Sequence, residues 1–363
     1  MMFESIWKKI LRRKGLSPLV VPAMLLWIVS LFYRIGLAIK KATRGKAVKV
    51  KVPVVSIGNL SVGGTGKTPI IATLAEFLLE EGVQVGIVSS AYGRKNQISF
   101  VKEARRVAEM SVDDTGDEVK MLAELLPQAI ISVDKSKSQA ALNAQDSDYD
   151  LDMLLIDDGF QHFRLDRDVD IVTYDGAIKA RDLKLFPYGV LREPLNSLKR
   201  AEVIIITRAN FARDIGTLCK RLNKIAPRAK IYTANFKPKE IIGHDRKLPV
   251  KYLEDKAVFA FAGIGNFRAF EKQVRTLTSN LDFALEFSDH QRYTGREIDK
   301  IRDAADRHGS DLLLTTAKDW VKIRDFDFGR EIYYLVQEID LDPGEEKLVK
   351  YLLSFIKPGE KLN

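Results

Sequence analysis

Ser61-Val62-Gly63-Gly64-Thr65-Gly66-Lys67-Thr68 follows directly on the apolar, β-branched run Val52-Pro53-Val54-Val55-Ser56-Ile57. Small residues let consecutive backbone N–H groups curl around a polyphosphate, a lysine reaches the β and γ oxygens, and a threonine hydroxyl takes a place on Mg²⁺. Ser61, Val62, Gly63, Gly64, Thr65, Gly66, Lys67 and Thr68 therefore read as a nucleotide-binding loop, with Lys67 on the phosphates and Thr68 on the metal. Residues Pro69 to Leu79 then show helical apolar spacing, stopped by Gly82. Pro69 suits a first helical turn, and the helix N-terminus adds partial positive charge to an anion site. The strict eight-residue pattern has glycine where Ser61 stands.

Strand, loop and helix patterns alternate beyond the loop. Val83 to Ser89 is a buried-type run ending in Tyr92-Gly93-Arg94, where Arg94 is either a phosphate contact or a surface turn arginine. Thr115-Gly116-Asp117-Glu118 opens a helical stretch through Leu125, where paired acids can be capping and dipole complementation alone. Leu151-Asp152-Met153-Leu154-Leu155-Ile156-Asp157-Asp158 is a hydrophobic strand delivering two carboxylates at its end. Adjacent buried aspartates need a cation or water, and in phosphate-loop enzymes an acid at this place holds Mg²⁺ opposite the loop threonine. Further strands read at Ala129 to Val133, Val169 to Asp175, Val203 to Arg208, Lys230 to Ala234, Ala257 to Ala262, Asp311 to Thr316 and Ile332 to Val336.

This alternation predicts an α/β fold with a P-loop NTPase-like parallel sheet and helices on both faces, plus a second, smaller α/β domain. The expected boundaries are a membrane-associating segment at 1–45, a phosphate-loop core at 46–210, and a smaller α/β domain at 211–363 closing a cleft over it. One cysteine, Cys219, rules out an intramolecular disulfide and fits a reducing compartment. The four histidines show no zinc spacing.

The charge is unevenly distributed. Residues 1–51 carry twelve Lys and Arg against Glu4 alone, a net of +11 against +9 for the whole chain, which argues against a general nucleic-acid surface. Anionic lipid is the better partner. Between the basic clusters, Leu16 to Tyr33 holds no charge, and as a helix it would span about 27 Å, just short of a ~30 Å hydrocarbon core. Positive flanks on both sides prefer the cytoplasm, and Pro18 and Pro22 would interrupt a straight helix. The expectation is a segment lying in the inner leaflet with Trp27 and Tyr33 at the interface, a single span being the alternative.

Ser61 to Thr68, Tyr92-Gly93-Arg94, Gly116-Asp117-Glu118, Asp157-Asp158-Gly159-Phe160-Gln161-His162, Leu191-Arg192-Glu193-Pro194, Gly263-Ile264-Gly265-Asn266 and Asp289-His290 occur in one order. By these motifs the chain resembles the tetraacyldisaccharide 4′-kinase (lipid A 4′-kinase) family over nearly its whole length. The resemblance implies transfer of the γ-phosphate of ATP, with Mg²⁺, to the 4′-hydroxyl of a tetraacyldisaccharide 1-phosphate, giving lipid IVA at the cytoplasmic face of the bacterial inner membrane. It implies that Asp117 and His290 form a dyad accepting the hydroxyl proton, one from each unit across the cleft, with Lys67 as a third catalytic residue. Thr68, Asp157, Asp158 and Glu118 are the implied metal set, and Arg94, Gln161, His162, Arg192 and Glu193 the substrate candidates. The implied partners are ATP, the acylated disaccharide phosphate and inner-membrane lipids, with no nucleic acid and no obligate protein partner. Ser90-Ala91, Phe267 and Ala317 depart from the family pattern. A membrane-associated phosphate-loop ATPase or GTPase switch is the competing reading, but Thr316-Ala317-Lys318-Asp319 lacks the Asn-Lys-x-Asp guanine reader.

Overall fold

The computed structural model describes Trp7 and residues 19–43, 45–90, 93–281 and 283–356. Ala91, Tyr92, Pro18, Arg44 and the basic residues 8–14 lie outside the described residues. The chain runs α1 (Val20–Ala42), β1 (Val54–Asn59), α2 (Lys67–Glu80), β2 (Val85–Ser89), β3 (Phe100–Glu103), α3 (Ala104–Glu109), α4 (Val112–Thr115), α5 (Asp117–Leu125) and β4 (Ile130–Val133). It continues through α6 (Lys137–Gln145), β5 (Met153–Asp157), β6 (Val169–Asp175), β7 (Val203–Thr207), α7 (Ile215–Ile225), β8 (Lys230–Ile242) and β9 (Lys247–Pro249). The last stretch holds β10 (Val258–Ala262), α8 (Phe267–Val274), β11 (Phe283–Glu286), α9 (Gly295–Arg307), β12 (Leu312–Thr316), α10 (Ala317–Ile323), β13 (Glu331–Asp342) and α11 (Glu345–Leu353).

The first compact unit comprises residues 1–88, 136–235 and 341–363. Its strands lie in the order β8-β7-β6-β1-β5-β2, all parallel. Each of β1, β5, β6 and β7 is buried along its full length, as expected of parallel strands covered by helices on both faces. Helix α2 buries Ile70, Ile71, Leu74, Ala75 and Leu78, and α11 returns from the far end of the chain to pack on it with Leu348, Val349 and Leu352.

The second unit comprises residues 89–135 and 236–340. Here β10 pairs in parallel with β11 and β12, and β12 with β13, while β3 and β4 pair antiparallel. Alternation along β10 builds two cores, because successive side chains point to opposite faces. Val258, Ala260 and Ala262 join Phe267, Phe270 and Val274 of α8, whereas Phe259 and Phe261 join Ile298 and Ile301 of α9 and Trp320 and Ile323 of α10. Helix α5 buries Val119, Leu122 and Ala123 and packs on α10, so residues 89–135 belong here and not with the phosphate loop. The division therefore departs from continuous domains at 46–210 and 211–363: one segment leaves the first unit after β2 and the tail rejoins it, exchanges that local periodicity does not register.

Helix α1 also departs from expectation. It runs unbroken through Pro22 to Ala42, since Pro22 lies in the first turn, where a missing N–H costs no helical bond. Its 23 residues span about 34 Å at ~1.5 Å each, long and apolar enough to cross a membrane. Val21, Met24, Leu25, Phe32, Ile35 and Ile39 are exposed, with only Ala23 and Ser30 buried. Tyr33, expected at a lipid interface, instead donates to the Arg192 carbonyl at 3.0 Å and packs edge-on against Phe186, while Trp7 Nε1 donates to the Pro187 carbonyl at 2.6 Å.

Close approach explains one glycine of β1. A Cβ on Gly58 would lie 2.5 Å from the Phe160 Cβ and 2.8 Å from its backbone nitrogen, which packing cannot relieve without moving the segment after β5. Gly58→Ala is expected to lower unfolding stability by about 1–3 kcal/mol, read from the thermal or denaturant midpoint; an unchanged midpoint would show the segment to be free to shift.

Candidate active site

In the first unit the phosphate loop bridges β1 and α2. Gly66, at φ +80°, turns the chain into α2, a conformation that glycine adopts without strain. The loop is pinned from beneath: Asn59 Nδ2 donates to Thr65 Oγ1 at 3.1 Å, and Thr65 Oγ1 shares a hydrogen bond with Thr173 Oγ1 at 2.8 Å. Val62 N donates to the Val190 carbonyl at 2.7 Å, and Arg208 Nη2 to the Gly64 carbonyl at 3.2 Å. A Cβ on Gly63 or Gly64 would meet nothing within 4 Å, so the loop opens onto space. That opening at a helix N-terminus, ringed by cations, fits a polyphosphate.

The second strong motif meets the loop at Asp158. Strands β1 and β5 are paired with Ile57 opposite Asp157, which brings both aspartates to the edge where the loop begins. Lys67 Nζ lies 3.4 Å from Asp158 Oδ1, Arg192 Nη1 donates to Asp158 Oδ2 at 2.8 Å, and Lys137 Nζ donates to the Asp158 carbonyl at 2.8 Å. Burial raises the Asp158 carboxyl, but Lys67, Arg192 and Lys137 outweigh it and bring it down to about 2. Asp157 is 5% exposed at the end of β5. A threonine hydroxyl and aspartate oxygens suit a hard divalent cation, and Mg²⁺ commonly takes only one or two protein carboxylates beside water and phosphate. Among the described residues no group of three or more His, Cys, Asp or Glu side chains forms a closed metal site.

The candidate substrate residues separate by environment. Gln161 Nε2 donates to the Asn59 carbonyl at 2.8 Å. Burial, with Lys137, Arg167, Lys40 and Arg164 adding to it, pulls His162 down to about 4, so its ring is neutral at pH 7. Glu193 is buried and held by Arg200 at 2.9 and 3.0 Å. Arg94 belongs to the second unit, 6% exposed and donating to the Ile98 carbonyl, which corrects the surface alternative.

Asp117 and His290 both lie in the second unit, so the expectation of one residue from each is corrected; the excursion 89–135 carries Asp117 across. His290 Nδ1 lies 3.0 Å from Asp117 Oδ2 and 3.2 Å from Oδ1. Asp117 begins α5, and its Oδ1 accepts from the Glu118 N–H at 3.0 Å, so helix-end complementation and the pairing coexist. From α10, Lys322 Nζ lies 3.7 Å from Asp117 Oδ2 and 3.1 Å from the fully buried Asp319, which also accepts from Gly263 N and Tyr293 OH at 3.0 Å. Lys318 Nζ lies 3.0 Å from His290 Nε2 and from Asp289 Oδ1, and 3.5 Å from Glu118. Burial alone pushes Asp117 up, but the His290 hydrogen bond, Lys318 and Lys322 hold it below the ordinary carboxylate value. The Asp117 hydrogen bond raises His290 above its usual value, against burial and Lys318. Sequence reading gave no part to Lys137, Arg208, Lys318, Asp319 or Lys322; the i, i+4 spacing of Lys318 and Lys322 in an apolar helix was the available signal.

A model of the tetraacyldisaccharide-1-P 4′-kinase family matches residues 22–357. The tetraacyldisaccharide 4′-kinase of Halothermothrix orenii is 35% identical over 317 residues, 81% of each chain, and that of Pelobacter propionicus 32% identical over 312 residues, 85% of this chain and 84% of its own. The crystal structure of LpxK from Aquifex aeolicus in complex with ATP matches with a TM-score of 0.71 at 27% identity, covering 92% of this chain and 99% of that one. Glycine loop, strand-end aspartates and aspartate–histidine pair thus accompany a match along almost the full length, and the chain belongs to the tetraacyldisaccharide-1-P 4′-kinase family.

Proposed function

We propose that the chain transfers the γ-phosphate of ATP to the 4′-hydroxyl of a tetraacyldisaccharide 1-phosphate, with the phosphate loop holding the nucleotide and Asp117 taking the hydroxyl proton. The observation that carries this reading is the Asp117–His290 pair at 3.0 Å in a chain that also holds a cation-ringed phosphate loop. A sugar hydroxyl is a weak nucleophile, and a carboxylate kept ionised and oriented by an imidazole can accept its proton as the oxygen–phosphorus bond forms and the bond to ADP breaks. Lys67, Arg192 and Lys137 supply positive charge for the transferring group. Thr68 and Asp157, with Asp158, are the oxygen donors for Mg²⁺, which when bound neutralises phosphate charge. Glu118, the fourth expected donor, belongs to the second unit, where its carboxylate lies 3.5 Å from Lys318 Nζ. Gln161, the neutral His162 and Arg192 are candidate substrate contacts, whereas Glu193 braces Arg200.

An acylated substrate accounts for α1. The helix lies at the cytoplasmic face of the inner membrane with its apolar side in lipid and its Lys and Arg flanks toward anionic headgroups. Tyr33, in the middle of α1, is hydrogen-bonded to Arg192 of the nucleotide-binding unit, which favours a helix lying along the surface over one crossing it.

Lys67→Ala is expected to lose both ATP affinity and transfer, and Asp117→Asn to keep ATP binding while kcat falls at least ~100-fold. Transfer of labelled γ-phosphate in detergent micelles, beside a nucleotide titration, separates the two; wild-type kcat in Asp117→Asn would remove the base assignment. Deleting residues 1–45 should weaken binding to anionic vesicles in a salt-dependent way, with unchanged sedimentation refuting the anchor.

The shifts also fix a pH dependence of stability. His290, raised in the folded state, adds stability that is complete below the ordinary histidine value of ~6.5 and is lost as pH rises through its folded value. Asp117, lowered, adds stability above the ordinary carboxylate value of ~3.9, lost as pH falls through its folded value. His290→Asn should therefore cost more stability near pH ~5.5 than near pH ~8.5. Equal deficits at both pH values, measured by thermal unfolding, would contradict the pairing.

A further inference from the structure

Lys318 has no assigned part in the reaction, yet its ammonium is surrounded by acceptors. Asp289 Oδ1 and His290 Nε2 each lie 3.0 Å from Nζ, and Glu118 Oε1 lies 3.5 Å away. Its side chain is 14% exposed. An ammonium carries three donors and no lone pair, so the ring nitrogen facing it must be the unprotonated one. Neutral imidazole has a single N–H, which is then on Nδ1, facing the Asp117 carboxylate at 3.0 and 3.2 Å. The opposite tautomer would set N–H against ammonium on one side and lone pair against carboxylate on the other.

From this geometry we propose that Lys318 is a positioning residue that fixes His290 as the Nδ1–H tautomer, so that the imidazole donates to Asp117 and the substrate proton stays on Asp117. His290 cannot then relay that proton, because Nδ1 already holds one. Burial lowers Lys318, but Glu118, Asp117 and Asp289 outweigh it and keep the ammonium charged, which agrees with the donor role. Among the described residues, the charged groups facing the ring include Asp117 from α5, Asp289 from its own loop and Lys318 from α10, with Glu118 behind Lys318 and Lys322 behind Asp117. The bearing on catalysis rests on the assignment of Asp117 and His290 given above; the tautomer itself does not.

The test is long-range proton–nitrogen correlation on the full chain labelled at histidine, with His290 assigned by its absence in His290→Asn. Above its titration midpoint, wild-type His290 should show a protonated Nδ1 and a bare Nε2. Lys318→Met should leave Asp117 alone to hold the Nδ1–H form, admitting a fraction of Nε2–H and raising the midpoint by about one unit, while Lys318→Arg keeps the wild-type pattern. In turnover, Lys318→Met should lower kcat with the KM for ATP unchanged. A protonated Nε2 in the wild type overturns the proposal even if Lys318→Met does not fold, and so does a Lys318→Met protein with an unaltered tautomer and midpoint. A wild-type ring with the expected tautomer, together with full activity in Asp117→Asn, would instead reject the dyad assignment.

Discussion

Three cations converge on the half-buried Asp158 at the carboxyl end of β5, two on its carboxylate and one on its carbonyl. Asp158 alone would be costly to keep ionised away from water, and Lys67, Arg192 and Lys137 together leave the neighbourhood in positive excess. That excess suits a polyphosphate. The elements of the first unit each supply one part of it: β1 delivers the loop, β5 the acids, α6 begins with Lys137, and Arg192 is anchored by its own N–H on the Leu60 carbonyl at 2.8 Å. The parallel pairing that aligns Ile57 with Asp157 is therefore a functional constraint as well as a packing one.

The second unit solves a different electrostatic problem with two short helices. Asp117 heads α5, where the helix dipole favours a negative charge, and the first turns of α10 bring Lys318, Asp319 and Lys322 against it. Two lysines keep the carboxylate ionised but also reduce its basicity, so the environment trades proton affinity for readiness to accept. Asp319, fully buried and bonded to Gly263, Tyr293, Thr316 and Lys322, holds α10 in register. This gives the Gly263 loop and the Thr316 to Asp319 stretch a shared structural meaning.

Local chemistry was legible in the sequence. The loop at Ser61 to Thr68, the acids closing β5 and the helix starting at Asp117 each depend on neighbours within a dozen residues. Long-range assembly was not: nothing near Asp117 announces Lys318 or Lys322 some 200 positions away, and nothing in residues 89–135 shows that α5 packs on α10. Resemblance supplied the Asp117–His290 pairing, but not its membership of one unit. Strand β4 was legible at Ala129 to Val133, but its antiparallel partner β3 escaped because four residues carry too little alternation to read. Pro22 misled because its effect depends on the turn in which it falls.

Asp158, Arg208 and His290 share a property unrelated to charge: each is a non-glycine residue at positive φ, 50°, 52° and 57°. Left-handed backbone costs an ordinary side chain roughly 1–2 kcal/mol, somewhat less for Asp and His, and glycine would relieve it. One of these residues anchors the cation cluster, one braces the phosphate loop and one pairs with Asp117. Selection for heat resistance alone would therefore drift toward glycine at the positions the proposed mechanism most needs, and on that mechanism a hardier protein recovered that way would be a poorer kinase.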